Sequence, residues 1–200
     1  MKKRLLLGTT NPAKLNRLHD FLAPLAIDTL SPDDLNINLD IKENGYSPEE
    51  NARIKAKAYF AAAGLPTLAV DAGLRITKFP PEKQPGVFVR RVGNTNQRVT
   101  DDELLNYYVK ELQKVGGESA GYWLVALALM VSKDHLYTHT FDLKTCFTAR
   151  KSAVVRSGEP LSSLTINSKT GKYISETPSE ERPDSRWIRE FVASHLDQLS

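Results

Sequence analysis

A turn between a short apolar stretch and the start of a helix is the first place where this chain could do chemistry. Residues 5–7 are three leucines and predict a buried strand, while Asn11, followed by proline, is typical of a helix start. Between them, Thr9 and Thr10 offer hydroxyl donors beside the positive end of the helix, which suits phosphate. Lys14 falls in the first helical turn, where the dipole disfavours a cation unless an anion lies nearby. The alternative interpretation is an ordinary capped helix with a solvated lysine.

Three carboxylates form the second candidate group. Asp71 follows the apolar run 66–70, and an acid at the carboxyl end of a central strand is often functional in open α/β sheets. Together with Glu43 and Glu50, it would supply the carboxylates that Mg²⁺ binds alongside waters and substrate phosphates. Helix capping alone also explains Glu50, and a turn before Gly73 is the alternative role for Asp71.

The third group is cationic. Asn51 and Lys55 are four residues apart and therefore share one face of a predicted helix. Arg90 and Arg91 lie in the segment 79–96, which is rich in proline, glycine and arginine and predicts a long functional loop. Lysine and arginine could neutralise a triphosphate, and arginine can bind two oxygens at once. A solvated surface is the alternative for both groups, and it is the default for Arg90 alone.

Helix signals elsewhere indicate how these residues are positioned. Ser47, a following proline and Glu50 predict a capped helix that runs through an alanine-rich stretch and stops at Gly64. Thr100 begins a third capped helix. The last helix, from about residue 183, is expected to bury one face, made of Trp187, Ile188, Phe191, Val192, His195 and Leu196.

Strand signals complete the expected architecture. The runs 122–132 and 136–149 predict two paired strands, and 31–44 is expected to hold a short strand and loops. The segment 157–184 is polar with little periodicity. Strands and helices alternate early while strands pair late, which predicts an α/β protein with a mixed sheet.

Composition narrows the class of protein. The chain has 200 residues, 40% hydrophobic and 26% charged, which fits one domain or two intimate lobes and excludes wholesale disorder. A net charge of +3 disfavours a nucleic-acid binder, and the single cysteine, Cys146, favours a reducing compartment. The apolar stretches 5–7 and 122–131 are too short for a secretory signal and a membrane span, so we expect a cytoplasmic protein that does not bind membranes.

Taken in order, these segments resemble the inosine triphosphate pyrophosphatase family, which hydrolyses non-canonical purine nucleoside triphosphates. Residues 9–14 fit the family's Thr/Ser-x-Asn-x-x-Lys, and 43–45 fit its Glu-x-Gly. Residues 50–56 match Glu-Asn-Ala-x-x-Lys-Ala at the expected spacing. Residues 69–74 are similar to Ala-Asp-Asp-Ser-Gly-Leu, and 85–91 to Pro-Gly-x-Tyr-Ser-Ala-Arg.

The resemblance implies that a nucleoside triphosphate such as ITP, dITP or XTP is hydrolysed to its monophosphate and pyrophosphate with Mg²⁺. It implies that residues 1–200 form one two-lobed domain, with an elongated mixed sheet, flanking helices and a central cleft, and that the protein is a homodimer. Asp71 would be the base and a metal-linked carboxylate, and Glu43 a metal ligand. The substrate-binding residues that the resemblance implies are Thr9, Thr10, Asn11, Lys14, Lys55, Ala72, Arg91 and Arg186.

The sequence also departs from the family. Val70 replaces the first aspartate of the family's pair, and Ala72, in place of serine, offers only its backbone. The family's base-binding Gly-Phe-Gly-Tyr-Asp-Pro has no counterpart at 158–164, and residues 184–186 keep only the arginine of its Ser-His-Arg. These departures leave two alternatives open: a catalytically impaired nucleotide-binding protein, acting as a sensor or partner subunit, and a hydrolase for a different phosphoanhydride, such as that of a non-purine nucleotide.

Overall fold

The computed structural model describes residues 2–92 and 97–199, so part of the predicted loop 79–96 lies outside the described residues. No described helix combines the length and the apolar character that crossing a membrane requires. The helices are α1 (Pro12–Leu22), α2 (Pro48–Ala63), α3 (Asp101–Lys114) and α4 (Ser185–Ala193). The strands are β1 (Lys3–Leu7), β2 (Ile27–Leu30), β3 (Thr67–Ile76), β4 (Glu118–Met130), β5 (Leu136–Thr148) and β6 (Thr165–Ile166).

The six strands form one mixed sheet in the order β2-β1-β3-β4-β5-β6. Strand β1 is parallel to both β2 and β3, whereas β6 is antiparallel to β5. The predicted α/β class and mixed sheet are therefore confirmed. The chain divides into two compact units, the first made of Met1–Ala72, Val125–Phe141 and Pro183–Ser200, the second of Gly73–Leu124 and Asp142–Arg182.

The first unit is built around close packing of α2. Ser47 caps this helix by accepting a hydrogen bond from the Glu50 amide, and Gly64 ends it in the left-handed region at a φ of 64°. Ala52 and Ala56 are completely buried. Their small side chains let α2 pack tightly on a cluster that includes Ala69, Ala126, Ala128 and Met130.

The second unit has a core of larger side chains. Thr100 and Glu103 form the predicted capping box at the start of α3, and each satisfies a backbone amide of the other. The buried face of α3 then packs into a cluster of Leu74, Ile76, Phe79, Leu104, Leu105, Tyr108, Leu112, Phe147, Leu161 and Leu164. Burial of these aliphatic and aromatic groups is the main source of this unit's stability.

Three sequence predictions about local structure are wrong. Asp71 does not end its strand, because β3 continues for five more residues to Ile76. The short strand expected within 31–44 instead lies before it, at Ile27–Leu30, where it pairs with β1. Trp187 is 46% exposed rather than buried, and its indole stacks on Phe141 at 5.8 Å near the surface. The apolar residues that α4 does bury are Ile188, Phe191 and Val192.

The polar segment 157–184 is more deeply buried than its composition indicates. Ser163 and Ser175 are completely shielded from solvent, and Arg182 is 3% exposed. Short 3₁₀ turns at Pro160–Ser163 and Ile174–Glu176 satisfy many backbone groups within the segment. Hydrogen bonding rather than apolar periodicity therefore organises this part of the second unit.

Candidate active site

A cluster of opposite charges in the first unit is the strongest candidate for a reactive centre. The Nζ of Lys55 lies 2.6 Å from Oδ1 of Asp71 and 3.4 Å from Oε2 of Glu43. It also donates to the carbonyl oxygen of Val70 at 3.3 Å. The side chains of Lys55 and Asp71 are 8% and 9% exposed, whereas that of Glu43 is 40% exposed. Three oxygens thus contact the Lys55 ammonium, and the partly exposed Glu43 carboxylate forms the solvent-facing side of the cluster.

The loop before α2 positions Glu43. The amide of Gly45 donates to Oδ1 of Asn51 at 2.8 Å, and the amide of Tyr46 donates to Oε2 of Glu50 at 2.6 Å. Both acceptors lie in the first turn of α2, so this turn holds the loop in place. Glu50 therefore anchors this loop. A capping box predicts that its carboxylate accepts from the Ser47 amide, but it accepts from the amide of Tyr46, one residue earlier.

Replacing Gly45 by alanine should disturb this anchor. An added Cβ would lie 2.7 Å from Cβ of Glu50 and 2.8 Å from Oδ1 of Asn51, closer than such atoms approach in proteins. We expect Gly45→Ala to lower the free energy of unfolding by about 1–3 kcal/mol, because overpacking forces the backbone to shift. Urea denaturation measures this change. The exposed neighbour Asn44, replaced by alanine, is the control, and equal stabilities of the two variants would contradict the role of Gly45.

The turn between β1 and α1 has the predicted cap. Oδ1 of Asn11 accepts the amide of Lys14 at 3.1 Å, and Oγ1 of Thr9 accepts the amide of Asn11 at 3.2 Å. A hydroxyl that accepts in this way still has its proton to donate to a ligand. The Thr10 side chain is exposed beside it. This turn therefore keeps hydroxyl donors at the positive end of an 11-residue helix.

Lys14 is electrostatically linked to the charged cluster. Its pKa is lowered to about 8, first because burial removes water from the ammonium group and next because Lys55 repels it. Asp71 and Glu43 attract the ammonium and act in the opposite direction. One group of interacting charges therefore contains Lys14, Lys55, Asp71 and Glu43. The sequence predicts each of these residues from a separate motif.

The remaining predicted residues have different surroundings. Ala72 lies half-buried in β3 directly after Asp71. Arg91, in the second unit, is exposed and places its guanidinium 4.8 Å from the centre of the Phe88 ring. Arg186, in the first unit, has an 80% exposed side chain that pairs with Glu190 at 2.7 Å on the surface of α4.

Sequence reasoning missed two further groups. The backbone carbonyl of Val70 contributes an oxygen to the charged cluster. The side chain of this residue cannot do so, because valine stands where the resembled family has an aspartate. Arg182 is a buried arginine paired with Glu159 at 2.8 Å in the second unit. No periodicity marks Arg182 in the sequence, because its segment is polar and irregular.

The charged cluster suits a hard divalent cation. No group of three or more His, Cys, Asp and Glu side chains that could hold a metal exists among residues 2–92 and 97–199. Mg²⁺, however, is commonly bound by one or two carboxylates, with waters and substrate phosphates completing its shell. Asp71 and Glu43 both face a single cation, and their oxygens are the ligand type that Mg²⁺ prefers. These residues therefore fit the ion.

Comparison with known sequences gives a consistent result. The sequence profile of the Ham1 family matches residues 5–145. A protein from Leptospira interrogans named dITP/XTP pyrophosphatase is 33% identical over 128 residues, which cover 64% of this chain and 62% of that relative. A protein of the same name from Thermus thermophilus is 34% identical over 131 residues, covering 66% of this chain and 60% of the relative. The chain thus spans about three fifths of the length of these relatives.

Comparison with solved structures extends over nearly the whole chain. A HAM1 protein from Coxiella burnetii superposes with a TM-score of 0.72 at 22% identity, covering 98% of this chain and 99% of that one. The Ham1 protein of Staphylococcus aureus gives a TM-score of 0.70 at 18% identity, with 98% of each chain covered. At these identities the similarity shows a common fold, and it includes the residues after 145.

Proposed function

Since this chain belongs to the Ham1 family, we propose that it hydrolyses a non-canonical purine nucleoside triphosphate to the monophosphate and pyrophosphate, a house-cleaning role in nucleotide pools. The observation that carries the proposal is that the Lys55 ammonium contacts the carboxylates of both Asp71 and Glu43. The names of the relatives support dITP or XTP as the substrate, and the resemblance to the inosine triphosphate pyrophosphatases adds ITP.

In this proposal, Asp71 and Glu43 hold Mg²⁺, which would polarise a phosphate oxygen and neutralise the charge that builds up in the transition state. Asp71 also accepts the proton of the attacking water. Water cleaves the anhydride bond between the α- and β-phosphates, so that one phosphate group leaves with the nucleoside and two leave as pyrophosphate. Little else is required of the protein beyond positioning and electrostatic stabilisation.

The cationic and hydroxyl groups bind the phosphates. Lys14 and the hydroxyls of Thr9 and Thr10 lie at the positive end of α1, where an anion is favoured. Lys55 carries a second positive charge next to the carboxylates. Asn11 holds the turn in shape through its bond to the Lys14 amide. Arg91 and the Ala72 backbone remain proposed phosphate-binding groups, and Arg186 a proposed base contact.

Phosphate binding should be accompanied by proton uptake at alkaline pH. Free Lys14 loses its proton as the pH rises through about 8, whereas a bound polyphosphate favours the charged ammonium and raises this pKa. Above pH 8, binding must therefore take up a proton and become weaker. Calorimetric titration of a polyphosphate into the protein at pH 9, in two buffers of different ionisation enthalpy, measures this proton uptake. Lys14→Met is the control, because it has no ammonium group to protonate. Equal heats in both buffers for the wild-type protein would contradict the assignment.

The proposed function is tested by product analysis. The protein is incubated with a panel of canonical and non-canonical triphosphates, including ITP, dITP, XTP, ATP and GTP, with Mg²⁺ or Mn²⁺ present. We expect release of pyrophosphate from ITP, dITP or XTP. Release of orthophosphate would indicate a different phosphoanhydride hydrolase, and tight triphosphate binding without turnover would indicate the impaired binding protein. Val70 favours this second candidate, because it offers the cluster a carbonyl in place of a carboxylate.

We also propose that the protein acts as a homodimer in the cytoplasm, as its resemblance to the family implies. Multi-angle light scattering of the purified chain measures the mass in solution. A mass close to twice the 22.3 kDa of one chain is expected. A single-chain mass at micromolar concentration would remove the dimer from the proposal without affecting the chemistry assigned to Asp71.

A further inference from the structure

One face of α2 runs along the charged cluster of the first unit and continues to Tyr59. Asn51, Lys55 and Tyr59 follow one another at intervals of four residues, so their side chains lie in one row along the helix. Asn51 holds the loop that carries Glu43 through its bond to the Gly45 amide, and Lys55 contacts the carboxylates. The row therefore extends past the cluster to Tyr59, which is 3% exposed.

The ring of Tyr59 packs against the start of the proposed phosphate-binding turn, residues 9–14. Gly8 lies directly before this turn, and a Cβ added to it would lie 3.0 Å from Cδ2 of Tyr59 and 3.2 Å from Cγ2 of Thr67. The Gly8 amide donates to the carbonyl oxygen of Leu68 at 2.7 Å. The φ of Gly8 is not in the left-handed region, so glycine is needed here for space rather than for backbone freedom. The backbone that leads into the turn therefore lies directly on the tyrosine ring.

Tyr59 is also electrostatically linked to Glu43. Burial is the main cause that raises the pKa of the Tyr59 hydroxyl, and the carboxylates of Glu43 and Asp33 raise it further. The phenol therefore stays uncharged at neutral pH and adds no negative charge beside a site for anions. One side chain thus packs under the phosphate-binding turn and lies within electrostatic range of a carboxylate that would hold Mg²⁺.

We propose that Tyr59 is a positioning residue, which sets the distance between the phosphate-binding turn and the carboxylates of Glu43 and Asp71. It acts through Gly8 rather than on the ligand itself. A polyphosphate and a divalent ion can meet only where the turn and the carboxylates are correctly spaced, and a misplacement of about 1 Å in such a site can cost about 10²-fold in rate. The role of the turn rests on the proposed function, whereas the packing of Tyr59 on Gly8 is independent of it.

Binding of inorganic tripolyphosphate without metal tests the assignment apart from hydrolysis. Calorimetric titration compares the wild-type protein with Tyr59→Val, which removes the ring, and with Tyr59→Phe, which keeps it. We expect Tyr59→Val to bind about tenfold more weakly and Tyr59→Phe to bind as the wild-type protein does. Phe60→Val is the matched control. It removes a partly buried ring of the same helix that packs on the cluster around Ala126, so it should lower stability but leave the affinity unchanged.

A double-mutant cycle separates positioning from a general loosening of the fold. Gly8→Ala places a methyl group against the ring and should also weaken tripolyphosphate binding about tenfold. Gly8→Ala combined with Tyr59→Val should bind more tightly than Gly8→Ala alone, because valine has no δ carbon where the added Cβ would lie. Additive losses in the cycle would overturn the assignment, and so would wild-type affinity in Gly8→Ala or in a folded Tyr59→Val.

The outcome is separable from the proposed function. A tripolyphosphate affinity that depends on Tyr59, without release of pyrophosphate from any triphosphate, supports the positioning role alone. Release of pyrophosphate from dITP or XTP, with unchanged tripolyphosphate affinity in Tyr59→Val and Gly8→Ala, supports the function alone. A wild-type protein that does not bind tripolyphosphate would overturn the positioning role, because Tyr59 would then have no polyphosphate site to position.

Discussion

Replacement of Asp71 by asparagine is expected to lower the rate of triphosphate hydrolysis by about 10²–10⁴-fold, the range typical of losing a general base. Asparagine has nearly the same shape and can still accept a hydrogen bond from Lys55. It cannot take a proton from water, and it binds a divalent ion more weakly than a carboxylate does. Steady-state kinetics with dITP and Mg²⁺ measure the change in kcat, and equilibrium binding in the absence of metal should be unchanged or tighter.

Glu50→Gln provides the matched control for Asp71→Asn. Glu50 is another carboxylate of the first unit, but it is exposed and its bond to the Tyr46 amide can be kept by a glutamine oxygen. This variant should retain nearly full activity. If Asp71→Asn were as active as Glu50→Gln, Asp71 could not be the base, and the chemistry would have to be assigned to another part of the molecule.

The second large effect is expected from Lys55→Met, which removes the cation shared by Asp71 and Glu43. The side chains of Lys55 and Asp71 are 8% and 9% exposed, so the variant leaves a buried carboxylate without its ion pair. Breaking a buried pair in this way lowers the free energy of unfolding by about 3–5 kcal/mol. Urea denaturation at pH 7 measures the loss. Because Lys14 is then the only cation of this charge group that remains to compensate the two carboxylates, Mg²⁺ should stabilise the variant more than the wild-type protein.

Lys57→Met is the control for Lys55→Met. Lys57 lies on the same helix but is exposed, so removing its charge should change stability by less than about 0.5 kcal/mol. Two results would contradict a cation-binding cluster at Asp71 and Glu43. One is that the two methionine variants are equally stable, and the other is that Mg²⁺ does not raise the free energy of unfolding of Lys55→Met.

Local signals in the sequence predicted the helices that position the cluster. Asn11, Ser47 and Thr100 each cap the helix that follows, because a short polar side chain before a helix is sufficient to satisfy an amide there. The resemblance to the inosine triphosphate pyrophosphatases, based on motifs in the first half of the chain, is confirmed by the Ham1 profile over residues 5–145. The site residues themselves stay a prediction, although four of them form one electrostatic group.

Features that depend on tertiary contacts were not accessible from the sequence. The position of Asp71 in the middle of β3 follows from strand pairing, which no local pattern specifies. The exposure of Trp187 depends on how α4 packs beside β5, and a large aromatic residue at helical spacing gives no indication of it. Arg182 was missed because its segment is organised by side-chain and backbone hydrogen bonds, which leave no periodicity.

The central claim is that a divalent ion and a polyphosphate meet at the carboxylates of the first unit. A crystal structure with Mn²⁺ and a non-hydrolysable ITP analogue tests it most directly, because manganese is located by its anomalous scattering. We predict an anomalous peak within coordinating distance of the carboxylate oxygens of both Asp71 and Glu43, with a phosphate group at the first turn of α1. A peak on other residues, or a phosphate chain bound away from Thr9 to Lys14, would contradict the account.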